Sequence, residues 1–455
     1  MTPAAKRLAI LGGLGAGMAA LVGAGVLQRI PVDIGGMDRG RTEAYIGYAL
    51  AAGLLYAAAI VLIRGPTLPR QAVWIVLAAA LVMRLLVVTA PPLLSTDLYR
   101  YVWDGRVQAA GINPYVHLPA DPALSQLRDL GTGPTAIYPN INRADYAPTI
   151  YPPAAQAIFA AIGLTWPTIW GVKAAMLGFD LLAAVVALGL LHAARRPPVH
   201  VLIYAWNPLV VWEFAGGGHI DAAAIALSAC ALLAAIRCRP GWAGAALAIA
   251  VLCKLLPAAL FPAIWRRWNW RTPVVCGAVI VAGYACYAGA GWRVLGFLPG
   301  YATEEGIGDG AGFFVLRLAG LLGPVPRWVG STYLAVAACG LLALAAWVSL
   351  RRPLPPDPAA RAIVIGRDAL WLGLAVIAAL SPHYPWYFTA VAIPAVLTPM
   401  PSALWLMLSS PVLYLDHGLD EVIWPAIVFI PFVLLLARDV RRRSDPQPAL
   451  AAKGS

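Results

Sequence analysis

The sequence predicts an all-α polytopic membrane protein, and three observations lead to this fold class. Hydrophobic residues make up 61% of the 455 residues, charged residues make up only 12%, and the mean hydropathy is +0.74. Apolar stretches of about 20 residues, the length that a helix needs to cross a bilayer, recur along the chain. Arginine pairs stand at the ends of many of these stretches, as is typical of cytoplasmic loops. We therefore expect one membrane-embedded unit over residues 1–455.

The N-terminal part of the chain is predicted to contain three spanning helices and a long polar loop. The spans cover residues 8–27, 44–63 and 72–90, and the loop covers residues 92–151. A connection of this length in a compact protein is usually functional or disordered. Its aromatic and patterned content argues against disorder. We therefore expect an ordered extracytoplasmic loop that contains amphipathic helices.

The rest of the chain is predicted to form further spans, one of which is irregular. Residues 242–265 contain Pro257 and Pro262 and have arginines on both sides, so we expect a broken helix or a hairpin there. The total is 12 to 14 spans, with both termini cytoplasmic and residues 438–455 as a cytoplasmic tail. The other predicted spans are 168–192, 199–214, 220–236, 273–291, 330–350, 367–381, 386–399, 402–415 and 423–437.

Charge and cysteine content exclude several classes of function. The net charge of +12 does not indicate nucleic-acid binding, because most basic residues lie in short loops and at the chain ends. The six cysteines lie in or beside apolar spans, so a disulfide framework is not expected, and no Cys/His spacing resembles a zinc site. The main partner that the composition indicates is the lipid bilayer.

The polar loop begins with a dense cluster of charged and aromatic residues. If residues 97–110 are helical, Asp97 and Asp104 lie on one face, roughly 10 Å apart along the axis, with Arg100 on nearly the same face. Asp97 follows a Ser-Thr pair, so it would lie at a helix N-terminus, where the helix dipole favours the ionised carboxylate. The alternative is that Asp97 only caps the helix and that Asp104 only pairs with Arg100 or Arg106.

Other loop and span residues are candidates for holding a sugar. Tyr138 and Tyr151 stand near Asn and Arg in the loop, and aromatic rings with amide and hydroxyl groups commonly hold sugars. Such rings are also ordinary interfacial anchors. The glycines of segment 216–221 would let a ligand approach the backbone next to His219 and Asp221.

Two basic residues lie where an anion could bind. Lys254 is inside the irregular element 242–265, where an ammonium group needs an anion, either a lipid phosphate or a neighbouring carboxylate. His383 begins a segment that also holds Tyr384 and Trp386 at the end of another span. The alternation of spans puts this segment on the same side of the membrane as the polar loop.

Taken together, these motifs resemble the GT-C superfamily of integral-membrane glycosyltransferases, and in particular the bacterial polyprenyl-phosphate-mannose-dependent alpha-mannosyltransferases. The resemblance extends from about residue 70 to residue 435. The matching motifs are Asp-Leu-Tyr-Arg-Tyr-Val-Trp-Asp-Gly-Arg-Val-Gln-Ala-Ala-Gly-Ile-Asn-Pro-Tyr (97–115), Thr-Ile-Tyr-Pro-Pro (149–153), Gly-His-Ile-Asp (218–221), Cys-Lys-Leu-Leu-Pro (253–257) and Pro-His-Tyr-Pro-Trp-Tyr (382–387).

The resemblance implies a GT-C-type bundle and inverting transfer of a hexose, with mannose favoured, from a polyprenyl-phosphate donor. An acidic residue early in the loop would be the general base; the matching residue is Asp97, and Asp104 is the second candidate. A single inversion needs one base for the acceptor hydroxyl, while cations stabilise the departing phosphate. We assign the phosphate to Arg100, Arg106, Lys254 and His383, and the sugar or acceptor to Tyr138, Tyr151, His219, Asp221, Tyr384 and Trp386.

The expected partners are the lipid-phosphate sugar donor, a glycolipid or glycan acceptor, and the bilayer. No cofactor is expected; a divalent ion bridged by Asp97 and Asp104 is an alternative, although a lipid monophosphate does not require one. The expected location is the inner membrane of a bacterium, with the site facing the periplasm or exterior. Two other functions are considered: a flippase or transporter for lipid-linked sugars, and a ligase that uses a polyprenyl-diphosphate glycan.

Overall fold

The computed structural model of the protein is entirely helical in its regular elements, within the residues that it describes. These residues are 2–28, 39–66, 68–92, 94–129, 131, 133–266, 269–308, 310–351, 353–415 and 422–444. Of the predicted tail, residues 438–444 continue the last helix, whereas residues 445–455 lie outside the described residues.

The helices of the N-terminal half agree with the predicted spans and with the predicted helix at the start of the loop. Besides that helix, the polar loop contains two short 3₁₀ helices, Pro122–Leu127 and Tyr138–Asn140. The α-helices are α1 (Pro3–Leu27), α2 (Arg39–Arg64), α3 (Ala72–Val88), α4 (Asp97–Ala109), α5 (Pro153–Thr165) and α6 (Ile169–Ala193).

The C-terminal half alternates long helices with short, broken ones. A π-helix covers Val211–Gly216, and 3₁₀ helices cover Pro198–Val201, Leu256–Leu260, Ala288–Leu295, Pro385–Val391 and Ser410–Leu415. The α-helices are α7 (Leu202–Ala205), α8 (Pro208–Val210), α9 (Asp221–Ile236), α10 (Pro240–Cys253), α11 (Phe261–Ile264), α12 (Arg271–Ala285), α13 (Leu298–Glu304), α14 (Phe314–Gly320), α15 (Arg327–Leu350), α16 (Pro358–Leu380), α17 (Ala392–Leu397), α18 (Pro401–Ser409) and α19 (Ile423–Ser444).

The number of long uninterrupted helices is lower than the 12 to 14 spans predicted. By length and composition, six described helices can cross a membrane, or up to eight if two pairs bent by 119° and 110° each count as one span. Prolines and glycines break helices without making a segment less apolar, so the hydropathy of the sequence does not reveal these breaks. Several predicted spans are therefore short helices of 10–17 residues. The predicted break within 242–265 is confirmed, because α10 ends at Cys253 and Lys254 is extended. The chain is a multi-pass α-helical membrane protein.

Two glycines allow the first loop helix to pack closely on the helix that follows the loop. Gly105 of α4 and Gly163 of α5 face each other, and a Cβ atom on either one would collide with backbone atoms of the other helix. Small residues are the usual means by which helix backbones approach one another this closely. The contact fixes α4, and therefore Asp97 at its first turn, against the membrane-embedded part of the protein.

A buried ion pair connects the spans below the polar loop. The Arg84 guanidinium donates from Nε to Asp180 Oδ2 at 2.6 Å and from Nη2 to Asp180 Oδ1 at 3.0 Å. The Tyr204 hydroxyl donates to Asp180 Oδ1 at 2.8 Å, and Arg84 also donates to the Ala205 carbonyl at 2.7 Å. Arg84 and Asp180 are almost completely buried. The pair therefore joins α3, α6 and α7.

Replacing Asp180 with asparagine should destabilise the fold strongly, because it leaves the buried Arg84 charge without its counter-ion. A loss of about 3–5 kcal/mol in unfolding free energy is expected. The matched control is Tyr204→Phe, which removes one hydrogen bond to the same carboxylate and should cost about 1 kcal/mol. Unfolding of the purified variants in detergent micelles measures both. Equal losses for the two variants would contradict the importance of the charge pair.

Candidate functional site

A cavity of about 690 Å³ lies where the polar loop meets segments from the C-terminal half. Most of the predicted site residues lie on its wall, namely Asp97, Arg100, Tyr151, Lys254, His383, Tyr384 and Trp386. The wall consists of the start of α4, parts of segment 142–152, the break after α10, parts of segment 297–305, segment 383–387 and residues 413–414.

Asp97 is the first residue of α4 and faces this cavity. Thr96 is the N-cap residue, and the Asp97 backbone N–H donates to Ser95 Oγ at 3.3 Å. The Asp97 carboxylate forms no hydrogen bond or ion pair with any residue that the structure describes. The positive end of the helix dipole stabilises a carboxylate at this position. Asp97 is therefore an uncommitted carboxylate that a substrate hydroxyl can approach.

Asp104 lies outside the cavity and is fully occupied by contacts within the protein. It is 1% exposed. It accepts hydrogen bonds from Arg100 Nε at 2.8 Å, Gln156 Nε2 at 2.9 Å and Thr149 Oγ1 at 2.5 Å. Arg100, although on the cavity wall, also donates to the Ala147 carbonyl at 3.0 Å. Asp104 and Arg100 thus hold α4 to the end of the polar loop.

Arg106 and Tyr138 also lie away from the cavity. Arg106 pairs with Asp129 at 3.2 Å, and the Asp129 carboxylate accepts hydrogen bonds from the backbone N–H groups of Ile137 and Tyr138 at 2.6 and 2.9 Å. Burial raises the pKa of Asp129, but these backbone donors and the Arg106 charge bring it below the ordinary value. The Tyr138 ring packs against Trp103. Both residues belong to the internal framework of the loop.

Lys254 points into the cavity from the break after α10. Its Nζ atom lies 2.7 Å from Asp221 Oδ2 and 4.8 Å from the ring centroid of Tyr387. The Lys254 side chain is 17% exposed and the Asp221 side chain 7%. Asp221, the first residue of α9, is behind Lys254 and does not line the large cavity. The sequence left both a lipid phosphate and a carboxylate open as partners of Lys254, and the structure contains the carboxylate.

Three stacked rings support the cavity wall next to Lys254. Tyr384 stacks on Trp386 with centroids 4.7 Å apart, and Trp386 stacks on His219 with centroids 4.2 Å apart. His219 is fully buried, and its Nε2 atom lies 3.3 Å from Glu213 Oε2. The Tyr414 hydroxyl, at the cavity wall, donates to the same carboxylate at 2.9 Å. His219 is therefore behind the wall and holds Trp386 in position.

His383 lies between the polar cavity and a second, apolar one. Its Nε2 atom donates to the Gly312 carbonyl at 2.9 Å, and its Nδ1 atom lies 3.5 Å from Glu305 Oε2. The second cavity has a volume of about 400 Å³ and is lined mainly by apolar side chains, with Leu255, Leu256, Tyr301, Glu305, His383 and Tyr387 shared between the two cavities. Burial raises the pKa of the Glu305 carboxyl above its ordinary value, although His383 acts in the opposite direction.

Several wall residues were not predicted from the sequence. Arg143, Tyr301, Glu304, Glu305, Tyr387 and Tyr414 line the cavity. The acidic pair at 304–305 and the last residue of the Pro-His-Tyr-Pro-Trp-Tyr motif were the signals that could have identified three of them. The others come from segments whose approach to Asp97 depends on the tertiary fold.

The described residues contain no group of three or more His, Cys, Asp or Glu side chains arranged to hold a metal ion. A bridge between Asp97 and Asp104 would also have to compete with Arg100, Thr149 and Gln156 for the oxygens of Asp104. The donor set around Asp97 therefore does not form a metal site by itself.

The described residues thus form a multi-pass helical bundle with a cavity whose wall carries the Asp97 carboxylate and the Lys254 ammonium. The family model described as alpha-(1->6)-mannopyranosyltransferase, N-terminal domain, matches residues 3–270, more than half of the chain. The chain belongs to this family, and the predicted resemblance to mannosyltransferases is confirmed. It is a glycosyltransferase of the mannosyltransferase class. The matched region contains Asp97 and Lys254, whereas His383, Tyr384 and Trp386 lie beyond it.

Comparison with curated proteins and comparison with solved structures each gave no significant match.

Proposed function

We propose that the protein transfers mannose from a polyprenyl-phosphate donor to a hydroxyl group of a glycan or glycolipid, with inversion and formation of an alpha-(1->6) linkage. The observation that carries the proposal is that the uncommitted Asp97 carboxylate and the Lys254 ammonium face one cavity. The linkage follows the description of the matched family. The donor class is the one that the sequence motifs imply, and the Lys254 cation near an apolar cavity supports it.

Asp97 is the proposed general base. The acceptor oxygen attacks the anomeric carbon, the bond between that carbon and the phosphate oxygen breaks, and the acceptor proton moves to Asp97. A beta-linked donor then gives an alpha-linked product in one displacement. The leaving phosphate is already ionised, so the step requires stabilisation of negative charge instead of a general acid.

Lys254 is the proposed main contact of the donor phosphate, and His383 and Arg100 are proposed to add donors from neighbouring parts of the wall. In the absence of donor, Asp221 keeps the buried Lys254 ammonium paired. The isoprenoid chain would extend into the apolar cavity, which adjoins the polar one at Leu255, Leu256 and His383. A lipid with one anionic group matches this combination of a cation and an apolar channel.

The remaining site residues are proposed to act on the sugar or to position other groups. Tyr384, Trp386 and Tyr151 present aromatic surface to the cavity and are proposed sugar contacts. His219 and Asp221 are proposed to position Trp386 and Lys254, because they contact these residues from behind. For Asp104, Arg106 and Tyr138 we propose a framework role.

We further propose that the protein lies in the inner membrane of a bacterium, with both termini cytoplasmic and the cavity on the extracytoplasmic face. The arginine distribution along the sequence supports this orientation. We also propose that no cofactor or divalent metal is required, since the donor is a monophosphate. The alternatives are a flippase for lipid-linked sugars and a ligase that uses a polyprenyl-diphosphate glycan.

The test is incubation of the purified protein with short-chain polyprenyl-phosphate mannose and alpha-mannoside acceptors in the presence of EDTA, with product identified by mass spectrometry and linkage analysis. We expect an alpha-(1->6)-linked product. Consumption of only diphosphate-linked glycans would favour the ligase. Movement of labelled lipid-sugar across vesicles without product would favour the flippase. Product only after Mg²⁺ or Mn²⁺ addition would contradict the metal-independent step.

A further inference from the structure

Two segments far apart in the sequence meet beside the cavity that Asp97 lines. The Phe297 backbone N–H donates to the Thr149 carbonyl at 3.2 Å. Gly296 has φ +57°, and a Cβ atom there would collide with the Thr149 carbonyl. Glycine is the residue that permits both this backbone conformation and this close approach. The loop before α5 and the segment before α13 are therefore joined at the backbone.

A cluster of polar and aromatic side chains follows this junction. The Arg143 Nε atom donates to Glu304 Oε2 at 2.7 Å, and the Tyr146 hydroxyl donates to Glu304 Oε1 at 2.9 Å. The Phe297 ring lies edge-on to the Tyr146 ring, with centroids 5.8 Å apart. Asn142, Arg143, Phe297 and Glu304 line the cavity, and Tyr146 contacts two of them without lining it. We call Asn142, Arg143, Tyr146, Phe297 and Glu304 the rim cluster.

Three polar side chains of the rim cluster are more exposed than the Lys254 side chain. The side chains of Arg143 and Glu304 are 28% and 29% exposed, and Tyr146 is 52% exposed, compared with 17% for the Lys254 side chain. An ion pair with this exposure contributes little to folding stability. Arg143 nevertheless keeps a left-handed backbone with φ 56°, which is unfavourable for a residue other than glycine. Strain of this kind is often found at binding sites.

From these observations we propose that the rim cluster is the acceptor subsite and binds the hydroxyl groups of a neutral mannoside next to Asp97. This inference rests on the proposed function. The cluster combines one positive and one negative side chain, so it has no net attraction for the donor phosphate. Lys254 attracts that phosphate deeper in the cavity. The rim cluster has no net charge and would bind the neutral acceptor, whereas Lys254 is positively charged and would bind the anionic donor.

The chemistry of the rim cluster suits a pyranose. Arg143 offers further N–H donors and Glu304 offers acceptor oxygens, which together match neighbouring hydroxyl groups. The Asn142 side-chain amide forms no hydrogen bond with another residue in the described part of the chain, so it has a donor and an acceptor available. The Phe297 ring, which lines the cavity, offers an apolar surface for the C–H face of the sugar, and the Tyr146 ring packs against Phe297.

The rim cluster is also electrically coupled to the proposed base. Burial lowers the pKa of Arg143, but the charges of Glu304 and, more weakly, Tyr384 and Asp97 raise it above the ordinary value. Arg143 and Asp97 both line this cavity, so an acceptor held by Arg143 would share the cavity with the Asp97 carboxylate, to which its hydroxyl proton must pass.

The experiment measures binding of alpha-(1->6)-mannotriose to the purified full-length protein by isothermal titration, and the acceptor and donor KM values in the transfer assay. Glu304→Gln and Arg143→Met should each weaken mannotriose binding about ten-fold, with the donor KM unchanged. Tyr146→Phe keeps the ring and should have a smaller effect. A rise in the donor KM instead of the acceptor KM would overturn the proposal.

The double variant Arg143→Glu with Glu304→Arg distinguishes two roles of the ion pair. It either binds the acceptor directly or only holds the two loops together, as a latch. A latch would be restored by the exchanged ion pair, and restored acceptor affinity would overturn the proposal. A subsite would stay impaired, because the donors and acceptors have changed places. If the wild-type protein binds mannotriose but uses no polyprenyl-phosphate donor, the proposed function fails and the subsite stands. If transfer occurs and the single variants keep the acceptor KM, only the subsite fails.

Discussion

Asp97→Asn is expected to lower kcat by between about 10² and 10⁴-fold, the usual contribution of a general base. Asparagine has nearly the same shape as aspartate and is well tolerated at a helix N-terminus, so α4 should remain intact. It has no ionised oxygen to accept the acceptor proton. The KM of the donor and the free energy of unfolding should therefore change little. Initial rates over a range of donor concentrations at saturating acceptor measure kcat and the donor KM, and thermal unfolding in detergent measures the stability.

The matched control for this variant is Asp104→Asn on the same helix. Asp104 accepts from Arg100, Thr149 and Gln156, so its replacement should lower stability, because it weakens a buried ion pair. Asp97→Asn should thus be stable but inactive. Asp104→Asn should be less stable but active while it remains folded. If Asp97→Asn turns over at nearly the wild-type rate, Asp97 is not the base.

The position of Asp97 could be predicted from the sequence because it depends on local rules. A Ser-Thr pair before Asp97 and a helical continuation to Ala109 place the carboxylate at a helix N-terminus, and α4 has this form. The role of Asp104 could not be derived in this way. It has nearly the same helical phase as Asp97, and its burial depends on Thr149 and Gln156, which come from later elements.

The fold class could also be predicted from the sequence, whereas the positions at which the helices break could not. Composition and hydropathy report that a segment is apolar enough for the membrane, but they do not report where it stops being a helix. The bent pair of segments 208–216 and 221–236 is an example, because glycines separate a π-helix from α9. These breaks matter for function, since Asp221 and Lys254 both lie at the ends of broken helices.

The part of the cavity wall that contains Arg143 and Glu304 required the three-dimensional structure. Glu304 and Arg143 are 161 residues apart in the chain and meet only because the loop and the segment before α13 join. No periodicity or spacing connects them. A sequence can therefore identify the carboxylate at the start of α4 and still miss the residues that complete the cavity around it.

Lys254→Met should reduce kcat/KM for the donor by about 10² to 10³-fold, which is typical for loss of one group that stabilises developing negative charge. Methionine keeps most of the side-chain volume, so the cavity should keep its shape. The loss should be seen with the phosphate donor and should not affect mannotriose binding. The matched control is Lys173→Met. Lys173 is another buried lysine, but it donates to the carbonyl groups of Val87 and Ala90 and does not line the cavity.

Asp221→Asn tests the same contact between Lys254 and the donor phosphate, because it removes the carboxylate that pairs with Lys254. Without donor, this variant leaves the Lys254 ammonium without its carboxylate, so thermal stability should fall. A bound phosphate would replace the missing charge, and the stabilisation by donor should therefore be larger in Asp221→Asn than in the wild-type protein. The expected order of donor-induced shifts in Tm is Asp221→Asn above wild type, and wild type above Lys254→Met. An unchanged shift in Lys254→Met would mean that the donor phosphate binds elsewhere in the cavity.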